Sequence, residues 1–198
     1  TDKLQAVLGQ PFIVDYKPGA GGSVGAESVA RGPADGYTIM LANTGVMVIN
    51  GSLYSKLPYN TLKDFVPIAR TAQQPLALLV NNNVPAKTLQ EFRDYATKNP
   101  GKVNYGSAGN GGISHLVPEM FKNATGLFMV HIPYRGGNPA QLALLSGEVD
   151  FNIDNLATAA PNIRAGKLKA LAVTTAQRSP ALPDAPPVAD TLKGFAID

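Results

Sequence analysis

Residues 104–116, NYGSAGNGGISHL, bring together several groups that could do chemistry. A short apolar stretch runs into glycine, serine and asparagine, and a helix-like stretch that contains a histidine follows it. Such a loop could hold a nucleophilic serine, a phosphate or a small carboxylate, or it could be only a turn. The residue types around it favour some of these functions over others.

A nucleophilic role for Ser107 is the first possibility, and its surroundings disfavour it. A nucleophile elbow needs the pattern G-x-S-x-G so that the backbone can turn sharply, but Tyr105 stands where the first glycine belongs. The histidines of the chain are His115 and His131, and only Glu119 offers an acid between Ser107 and His131 in elbow order. Glu119 follows His115 by four residues, a spacing typical of an ordinary side-chain pair on a helix. We therefore expect that the protein is not an enzyme.

Residues 18–26, PGAGGSVGA, resemble a dinucleotide-binding turn between a strand and a helix. The strict G-x-G-x-x-G frame puts Val24 where the third glycine belongs, although a looser frame that ends at Gly25 fits. The next predicted strand ends in Asn43 rather than in the acidic residue that would hold a ribose, and no G-x-x-x-x-G-K-[ST] sequence occurs. Glycines that ease a strand-to-helix turn are the simpler interpretation.

The sequence gives even less support for a metal or cofactor site. His115 and His131 stand isolated, one in a predicted helix and one in a predicted strand, and the spacing of Asp150 and Asp154 matches no calcium loop. The sequence contains no cysteine, which excludes disulfides and cysteine-ligated zinc. We expect no metal and no cofactor.

Binding of a small anion by helix N-termini fits the sequence better. The first amides of a helix have no partners within the helix and carry about half a positive charge, so they can hold a carboxylate without a charged side chain. Three predicted strand-to-helix turns are suited to this: residues 107–114, the segment YRGGNPA that starts at Tyr134, and the segment DNLA that starts at Asp154. Capping alone would also explain these residue types, but the three turns would lie at one edge of a parallel sheet, where α/β proteins bind ligands.

Side chains near these turns complete the predicted cleft. Tyr134 and Asn110 are the side chains that we expect to contact the ligand, and residues 42–45, ANTG, would face them from another part of the chain. Arg135 could attract the anion or could equally be a solvated side chain.

The elements that must position these turns alternate between strand and helix. Apolar, β-rich segments predict strands at 11–16, 35–43, 65–71, 75–82, 102–106, 128–134, 148–154 and 168–175. Helical patterns separate most of them, which predicts parallel pairing through right-handed crossovers. In the helix predicted over residues 88–98, Thr88 is the expected N-cap, with Glu91 at capping-box spacing. We predict an α/β fold of two lobes, with the first lobe at 1–79 and the second at 80–198.

Composition excludes several classes of protein. The 198 residues carry a formal net charge of +3, and lysine and arginine are scattered rather than clustered, which argues against nucleic-acid binding. No apolar run reaches the ~18 residues of a membrane-spanning helix. A hydrophobic content of 44% and a mean hydropathy of −0.01 are typical of a globular protein with a substantial core.

Taken together, five segments resemble one family of proteins. They are PGAGGSVGAESVARGPADGYTIMLANTG, INGSLYSKLPYNTLKDFVPIA, KVNYGSAGNGGISHL, HIPYRGGNPAQLALLSGEVDFNIDN and AGKLKALAVTTAQRSPALPDAPPVAD, and they span nearly the whole chain in family order. The chain is similar to the extracytoplasmic solute receptors of the tripartite tricarboxylate transporter type, often called the Bug family. The resemblance implies a type II periplasmic-binding-protein fold, in which two α/β lobes close over a small organic acid held largely by loop backbone and bridging waters.

The resemblance also implies a set of ligand contacts and a partner. Matched by position, the contacts would be Ser107, Ala108, Gly109, Asn110, Ser114, Tyr134, Gly136, Asp154 and Asn155 from the second lobe, and Asn43 and Thr44 from the first. Asp154 would receive a ligand amino group or a distal polar atom, or would only cap its helix. The ligand would be a di- or tricarboxylate, an amino acid or an aromatic acid, and the partner would be the membrane subunits of the transporter. We expect a monomer in the periplasm.

Two features of the family are not recognisable in this sequence. Family members begin with a strand and a glycine-rich loop that supplies much of the first-lobe carboxylate site, and a C-terminal segment returns to complete that lobe. We therefore expect an incomplete first lobe and a nearly whole second lobe. A sensory effector domain of the same fold is the alternative function, and an α/β enzyme that uses Ser107 is less favoured.

Overall fold

A five-stranded mixed β-sheet forms the centre of the protein. The structure, a computed structural model, describes residues 2–197. Its strands are β1 (Leu76–Asn81), β2 (Asn104–Ser107), β3 (Val130–Pro133), β4 (Phe151–Asn155) and β5 (Leu168–Val173). They lie in the order β3-β2-β4-β1-β5. The α/β fold class predicted from the alternation of strands and helices is therefore confirmed.

Strand β1 runs against the direction of its neighbours. Strand β2 pairs in parallel with β3 and β4, as predicted, whereas β1 pairs antiparallel with β4 and β5. The expectation of a wholly parallel sheet is therefore wrong for β1. All its residues are buried, and because a strand covered on both faces is apolar throughout, its sequence does not encode its direction. Leu76 pairs with Asn155, so β1 begins at the edge where β4 ends.

Helices cover both faces of the sheet. They are α4 (Leu89–Lys98), α5 (Ile113–Thr125), α6 (Gly137–Ser146), α7 (Leu156–Arg164) and the short α8 (Val188–Thr191). Leu78 of β1 packs with Phe92 and Phe121 on one face, and Leu79 packs with Leu144 on the other. Burial of these apolar side chains on both faces is the main favourable contribution to folding. Among the helices of residues 2–197, none combines the length and the apolar character needed to cross a bilayer.

Helix α4 begins at the predicted N-cap. The Thr88 Oγ1 atom accepts the backbone N–H of Glu91 at 3.1 Å, and the Glu91 carboxylate accepts the backbone N–H of Lys87 at 2.7 Å. These bonds satisfy amides that have no partner inside the helix. The N-cap prediction for Thr88 is confirmed.

The chain before β1 forms helical segments but, within the described residues, no strands. It contains α1 (Asp2–Leu8), a 3-10 turn (Ala20–Gly22), α2 (Ser23–Ala30), a π-helical turn (Gly45–Ile49) and α3 (Asn50–Leu53). The strands predicted at 11–16, 35–43 and 65–71 are wrong, and large apolar side chains such as Ile13 and Tyr37 are more than nine-tenths exposed there. A β-rich segment forms a strand only when a neighbouring strand takes up its backbone hydrogen bonds. None does so for these three segments within residues 2–197.

A small separate core holds α2, the π-helical turn and the segment after α3 together. Ala26, Val46 and Tyr59 are buried against one another. The Tyr59 hydroxyl donates to the Val46 carbonyl at 2.6 Å, and the buried Asn50 amide donates to the Gly21 carbonyl at 3.2 Å. The α2 and α3 regions are therefore tied to each other. The boundary predicted between residues 79 and 80 stays a prediction, and strand β1 crosses it.

Candidate functional site

One edge of the sheet contains the ends of three strands, β2, β3 and β4, and the starts of the helices that follow them, α5, α6 and α7. The three strands run in the same direction, and each is followed by its helix within a few residues. We call this edge, formed by residues 107–114, 133–138 and 154–158, the rim. The predicted convergence of three strand-to-helix turns is therefore confirmed.

Hydrogen bonds join the loops that follow β2 and β3. The Tyr134 N–H donates to the Ser107 carbonyl at 2.9 Å, and the Gly136 N–H donates to the Ala108 carbonyl at 3.0 Å. The Ala108 N–H donates to Ser114 Oγ at 3.0 Å. These bonds continue the β2–β3 pairing beyond the strands, so the loop residues keep a defined position at the rim. They also occupy the amides of Ala108 and Gly136.

Next to the β2–α5 loop, Ser107 contacts one of two stacked histidines. Ser107 Oγ lies 2.6 Å from His131 Nε2, and the rings of His131 and His115 stack with centroids 4.0 Å apart. The Nδ1 atom of His115 accepts the Gly111 N–H at 3.1 Å, and the Tyr105 ring stacks on the other side of His131 at 4.8 Å. The two imidazoles therefore support the loop.

Burial keeps both histidines neutral near neutral pH. Burial and, to a smaller extent, the neighbouring His115 together lower the pKa of His131 to about 4. Burial also lowers the pKa of His115, an effect that Glu119 opposes and Lys122 reinforces. Like charges on two stacked rings would repel each other, which disfavours protonation of both at once.

An acid, a base and a phenol surround the histidine pair. The Tyr105 hydroxyl donates to Glu119, and Lys122 pairs with the same carboxylate oxygen at 2.7 Å. Burial and the nearby Glu119 raise the pKa of Tyr105 above its ordinary range. Burial alone would raise the pKa of Glu119, but the hydrogen bonds from Lys122 and Tyr105 and the nearby positive charges together outweigh it and lower that pKa. Glu119 is thus an anion that Tyr105 and Lys122 already satisfy.

A small cavity of about 70 Å³ opens between the starts of α6 and α7. It is lined by Gly137, Asn138, Gln141, Asp154, Asn155 and Thr158. The Asp154 carboxylate accepts the Asn155 N–H at 2.7 Å, and burial raises the pKa of this carboxyl. The cavity therefore combines two helix starts, which favour an anion, with a partly buried acid that favours a cation or a hydrogen-bond donor.

The side chains predicted as contacts differ in their accessibility. Ala108 and Asn110 are exposed at the rim, whereas Ser107 and Ser114 are only 1% and 6% exposed and serve the loop backbone. The Tyr134 hydroxyl donates to Glu148 at 2.7 Å, and burial together with this bond raises the pKa of Tyr134 to about 12. Because Glu148 lies at the far end of α6, this hydroxyl points away from the rim. Ligand contact by these residues stays a prediction.

The turn at Asn43 and Thr44 lies opposite the β2–α5 loop. The Asn43 side chain accepts the Val46 N–H at 3.1 Å, and both Asn43 and Thr44 are exposed. A Cβ atom added to the adjacent Gly45 would lie 3.9 Å from the Cα atom of Gly112. The structure therefore brings this turn close to the rim, although ligand contact by Asn43 and Thr44 stays a prediction.

The histidine pair corrects an interpretation made from the sequence. His115 and His131 are not isolated, because parallel pairing of β2 with β3 places Tyr105 opposite His131, and α5 then brings His115 over that ring. The sequence alone does not give the register of β2 against β3, and this register is what would have revealed the pair. Within residues 2–197, no group of three or more histidine, cysteine or acidic side chains could hold a metal ion.

Comparisons with known proteins identify close relatives of this chain. A family model described as "Tripartite tricarboxylate transporter family receptor" matches residues 1–198. The protein BugT of Bordetella pertussis is 36% identical over 188 residues, which cover 94% of this chain and 58% of BugT. The chain thus spans less than two thirds of the length of that relative.

Solved structures agree with this family match. The structure of R. palustris Rpa4515 with adipate is 34% identical and superposes with a TM-score of 0.96 over 99% of this chain and 66% of that one. The structure of the periplasmic binding protein BugD is 35% identical, with a TM-score of 0.93 over 99% of this chain and 66% of that one. The resemblance inferred from the sequence, and with it the periplasmic-binding-protein fold class, is confirmed.

Proposed function

We infer the function of this chain from its family and its rim: it belongs to the tripartite tricarboxylate transporter receptors, and we propose that it captures a small organic carboxylate for a membrane transporter. The ligand lies between the rim and the turn at Asn43 and Thr44. The proposed contacts are Ser107, Ala108, Gly109, Asn110, Ser114, Tyr134, Gly136, Asp154 and Asn155 on the rim, and Asn43 and Thr44 opposite it.

The convergence of three helix starts on one edge carries this proposal. Helices α5, α6 and α7 follow strands that run in the same direction, so their positive ends approach one another. A carboxylate can be held there by backbone amides and helix dipoles without an arginine or lysine in contact. The Arg135 side chain, which is exposed beside α6, adds a weak long-range attraction.

A dicarboxylate is the first ligand class to test. Rpa4515, which is 34% identical, is described in complex with adipate, a linear dicarboxylate. An amino acid is the second class, because Asp154 offers a partly buried acceptor in the cavity at the α6 and α7 starts. There Asp154 receives an amino group or a distal polar atom of the ligand, or only caps α7.

Isothermal titration calorimetry tests the proposal directly. The chain is titrated with adipate, malate, citrate, benzoate, aspartate and glutamate, and with adipamide and 1,6-hexanediol as controls of similar length that lack the charge. We expect a dissociation constant in the micromolar range or below for at least one acid and no measurable heat for the neutral controls. The proposal fails if no mono-, di- or tricarboxylate and no amino acid binds, or if the neutral controls bind equally well.

A matched pair of variants locates the site. Thr158 lines the cavity, and its hydroxyl donates to the Asn155 carbonyl. Thr97 makes the same kind of bond to its own helix from an exposed position on α4, which packs on the other face of the sheet. We expect Thr158→Glu to weaken binding of the best acid by about tenfold or more through charge repulsion, and Thr97→Glu to leave it unchanged. Equal effects of the two variants would place the ligand elsewhere.

Delivery to a transporter and a periplasmic location are further parts of the proposal. The family description names a transporter receptor, and the similar protein BugD is described as periplasmic. Cell fractionation tests the location. Uptake of the bound acid into cells that carry the transporter subunits, with and without the receptor, tests the partnership. Copurification with a regulator or kinase instead would favour a sensory domain of the same fold.

The contact between Ser107 and His131 is the observation that favours an enzyme as second candidate. Its 2.6 Å distance suits a nucleophile and its base, but Ser107 is only 1% exposed and its Oγ also accepts the Gly109 N–H at 3.2 Å. This burial supports a role in shaping the loop. Slow hydrolysis of an activated ester that Ser107→Ala abolishes would favour the enzyme instead.

A further inference from the structure

The start of α5 carries a hydrogen bond that depends on the protonation of one side chain. The Gly111 N–H donates to His115 Nδ1 at 3.1 Å. An imidazole nitrogen accepts a hydrogen bond only when it carries no proton. His115 must therefore be neutral in this arrangement, with its proton on Nε2.

The amide that His115 holds lies at the tightest point of the β2–α5 loop. Gly111 has a positive φ of 77°, and a Cβ atom added there would lie 1.8 Å from Leu53 Cδ2. The loop is thus enclosed between His115 on one side and the end of α3 on the other. Its neighbours Asn110 and Gly112 lie next to Gly21 and Gly45, respectively. A displacement of Gly111 would therefore move the backbone that faces the first-lobe turns.

The groups that face His115 leave it without a strong partner for a positive charge. His131 stacks on it at 4.0 Å and would repel it when both are charged. Glu119, one turn along α5, already accepts hydrogen bonds from Tyr105 and Lys122, and the Lys122 charge opposes protonation of His115. Burial lowers the pKa of His115 in the same direction. At neutral pH the imidazole therefore remains an acceptor.

His131 differs from His115 in what its protonation would change. A protonated His131 Nε2 can donate to Ser107 Oγ, and the Ser107 hydroxyl can then turn to the Gly109 carbonyl, which lies 3.3 Å away. The Ser107 oxygen could still accept the Gly109 N–H. Protonation of His115 Nδ1, by contrast, removes the acceptor of the Gly111 N–H and leaves two N–H donors pointing at each other.

We propose that His115 is a positioning residue of the rim: its unprotonated Nδ1 fixes Gly111, and its protonation releases the β2–α5 loop and weakens capture of the anion. The second half of this proposal rests on the proposed function, whereas the first half concerns the loop alone. His115 acts through the loop backbone and does not itself touch the ligand.

Nuclear magnetic resonance of the imidazole nitrogens tests the first half without any ligand. The chain contains two histidines, so a sample labelled with ¹⁵N gives two imidazole systems, which the His115→Asn variant assigns. At neutral pH we expect an unprotonated Nδ1 at His115. On acidification we expect a midpoint below the ordinary value of about 6.5, with the Gly111 amide signal moving at the same midpoint.

Two variants test the second half. Asn places an amide oxygen close to the position of Nδ1 and cannot be protonated, whereas Leu offers no acceptor. With adipate as probe at neutral pH, we expect His115→Asn to bind within about threefold of the unmodified chain and His115→Leu to bind about tenfold more weakly, as the loss of one partly buried hydrogen bond implies. On acidification the unmodified chain should lose affinity relative to His115→Asn. Adipate itself titrates equally in both samples, so the difference isolates His115.

The outcomes separate this proposal from the proposed function. A proton on His115 Nδ1 at neutral pH, or a Gly111 amide that does not follow the His115 titration, would overturn the positioning role. A His115→Asn variant with the same pH dependence as the unmodified chain would overturn its effect on binding. Absence of binding by adipate and every other acid tested would overturn the proposed function, and the NMR titration would still decide whether His115 holds the loop. The His115→Asn comparison remains valid even if His115→Leu fails to fold.

Discussion

Asn152 provides a strong test of how the rim is supported. It is buried, with 2% of its surface exposed, and its Oδ1 atom accepts the Gly106 N–H at 2.8 Å. Its Nδ2 group donates to the Ala140 carbonyl of α6 at 3.1 Å. The side chain therefore joins β2, β4 and α6 just below the residue that begins the β2–α5 loop. We choose Asn152→Leu as the perturbation because leucine fills the site but offers no polar atom.

The expected magnitude follows from the two backbone groups that lose their partner. An unsatisfied buried donor or acceptor costs about 1–3 kcal/mol, so the loss at Gly106 and Ala140 together amounts to about 2–6 kcal/mol. Burial of the apolar leucine offsets part of this, which favours the lower half of that range. With an m-value of about 2 kcal/mol/M in urea, the midpoint of unfolding should fall by about 1 M or more.

Urea unfolding followed by far-ultraviolet circular dichroism measures this effect, since the chain contains no tryptophan to serve as a fluorescent probe. Asn123→Leu on the exposed surface of α5 is the matched control, and we expect it to change stability by less than about 0.5 kcal/mol. Hydrogen exchange of the Gly106 amide provides a local readout. A midpoint for Asn152→Leu within about 0.3 M of the unmodified chain, with unchanged protection of Gly106, would refute the reasoning.

Three further substitutions test other features of the fold and rim. We expect Gly111→Ala to cost about 1–3 kcal/mol, since the added methyl group meets Leu53 at a positive φ, while Gly126→Ala, at a similar φ in open space, should cost only about 1 kcal/mol. Thr88→Ala removes the cap of α4 and should lower thermal stability by about 1 kcal/mol. Asp154→Asn should raise the free energy of unfolding at pH 7, because burial raises the folded-state pKa above its ordinary 3.8 and makes the ionised form costly. That gain should fade as the pH falls through the raised pKa of Asp154. If the unmodified chain instead becomes more stable as the pH rises through this pKa, the prediction is contradicted.

The part of the fold around β2, β3 and β4 could be predicted from the sequence because its signals are local. The stretches around β2, β3 and β4 are each short and each followed by a helix, so their order and the shared edge follow from known rules of α/β folds. The N-cap at Thr88 is a local signal of the same kind. Asn110 and Asp154 were placed on the rim in this way, since their turns follow strand ends, whereas Ala108 was named individually only through the family resemblance.

Features that depend on partners distant in sequence could not be predicted in this way. Strand β1 is apolar on both faces, so only its neighbours decide its antiparallel direction. Residues 11–16 have a β-rich sequence but remain without strand partners among residues 2–197. The stacking of His115 on His131 requires the register of β2 against β3 and the crossing of α5, neither of which any single segment encodes.

Protonation of Asp154 on the rim and of His115 next to the β2–α5 loop should affect binding with opposite sign. An ionised Asp154 near a second ligand carboxylate would repel it by about 1 kcal/mol at 4 Å in water and by about 4 kcal/mol in a partly buried site. A linear diacid should therefore place one carboxylate at the β2–α5 loop and a protonated or hydrogen-bond-donating end beside Asp154, so that acidification favours binding there. Protonation of His115, which also occurs as the pH falls, weakens binding instead. Asp154→Asn should thus strengthen adipate binding at neutral pH. In this variant, the loss of adipate affinity on acidification should come from protonation of His115 without the opposing effect of Asp154. If Asp154→Asn instead weakens adipate while strengthening no acid, the carboxylate of Asp154 receives a donor from the ligand even at neutral pH, which favours an amino acid as the natural ligand.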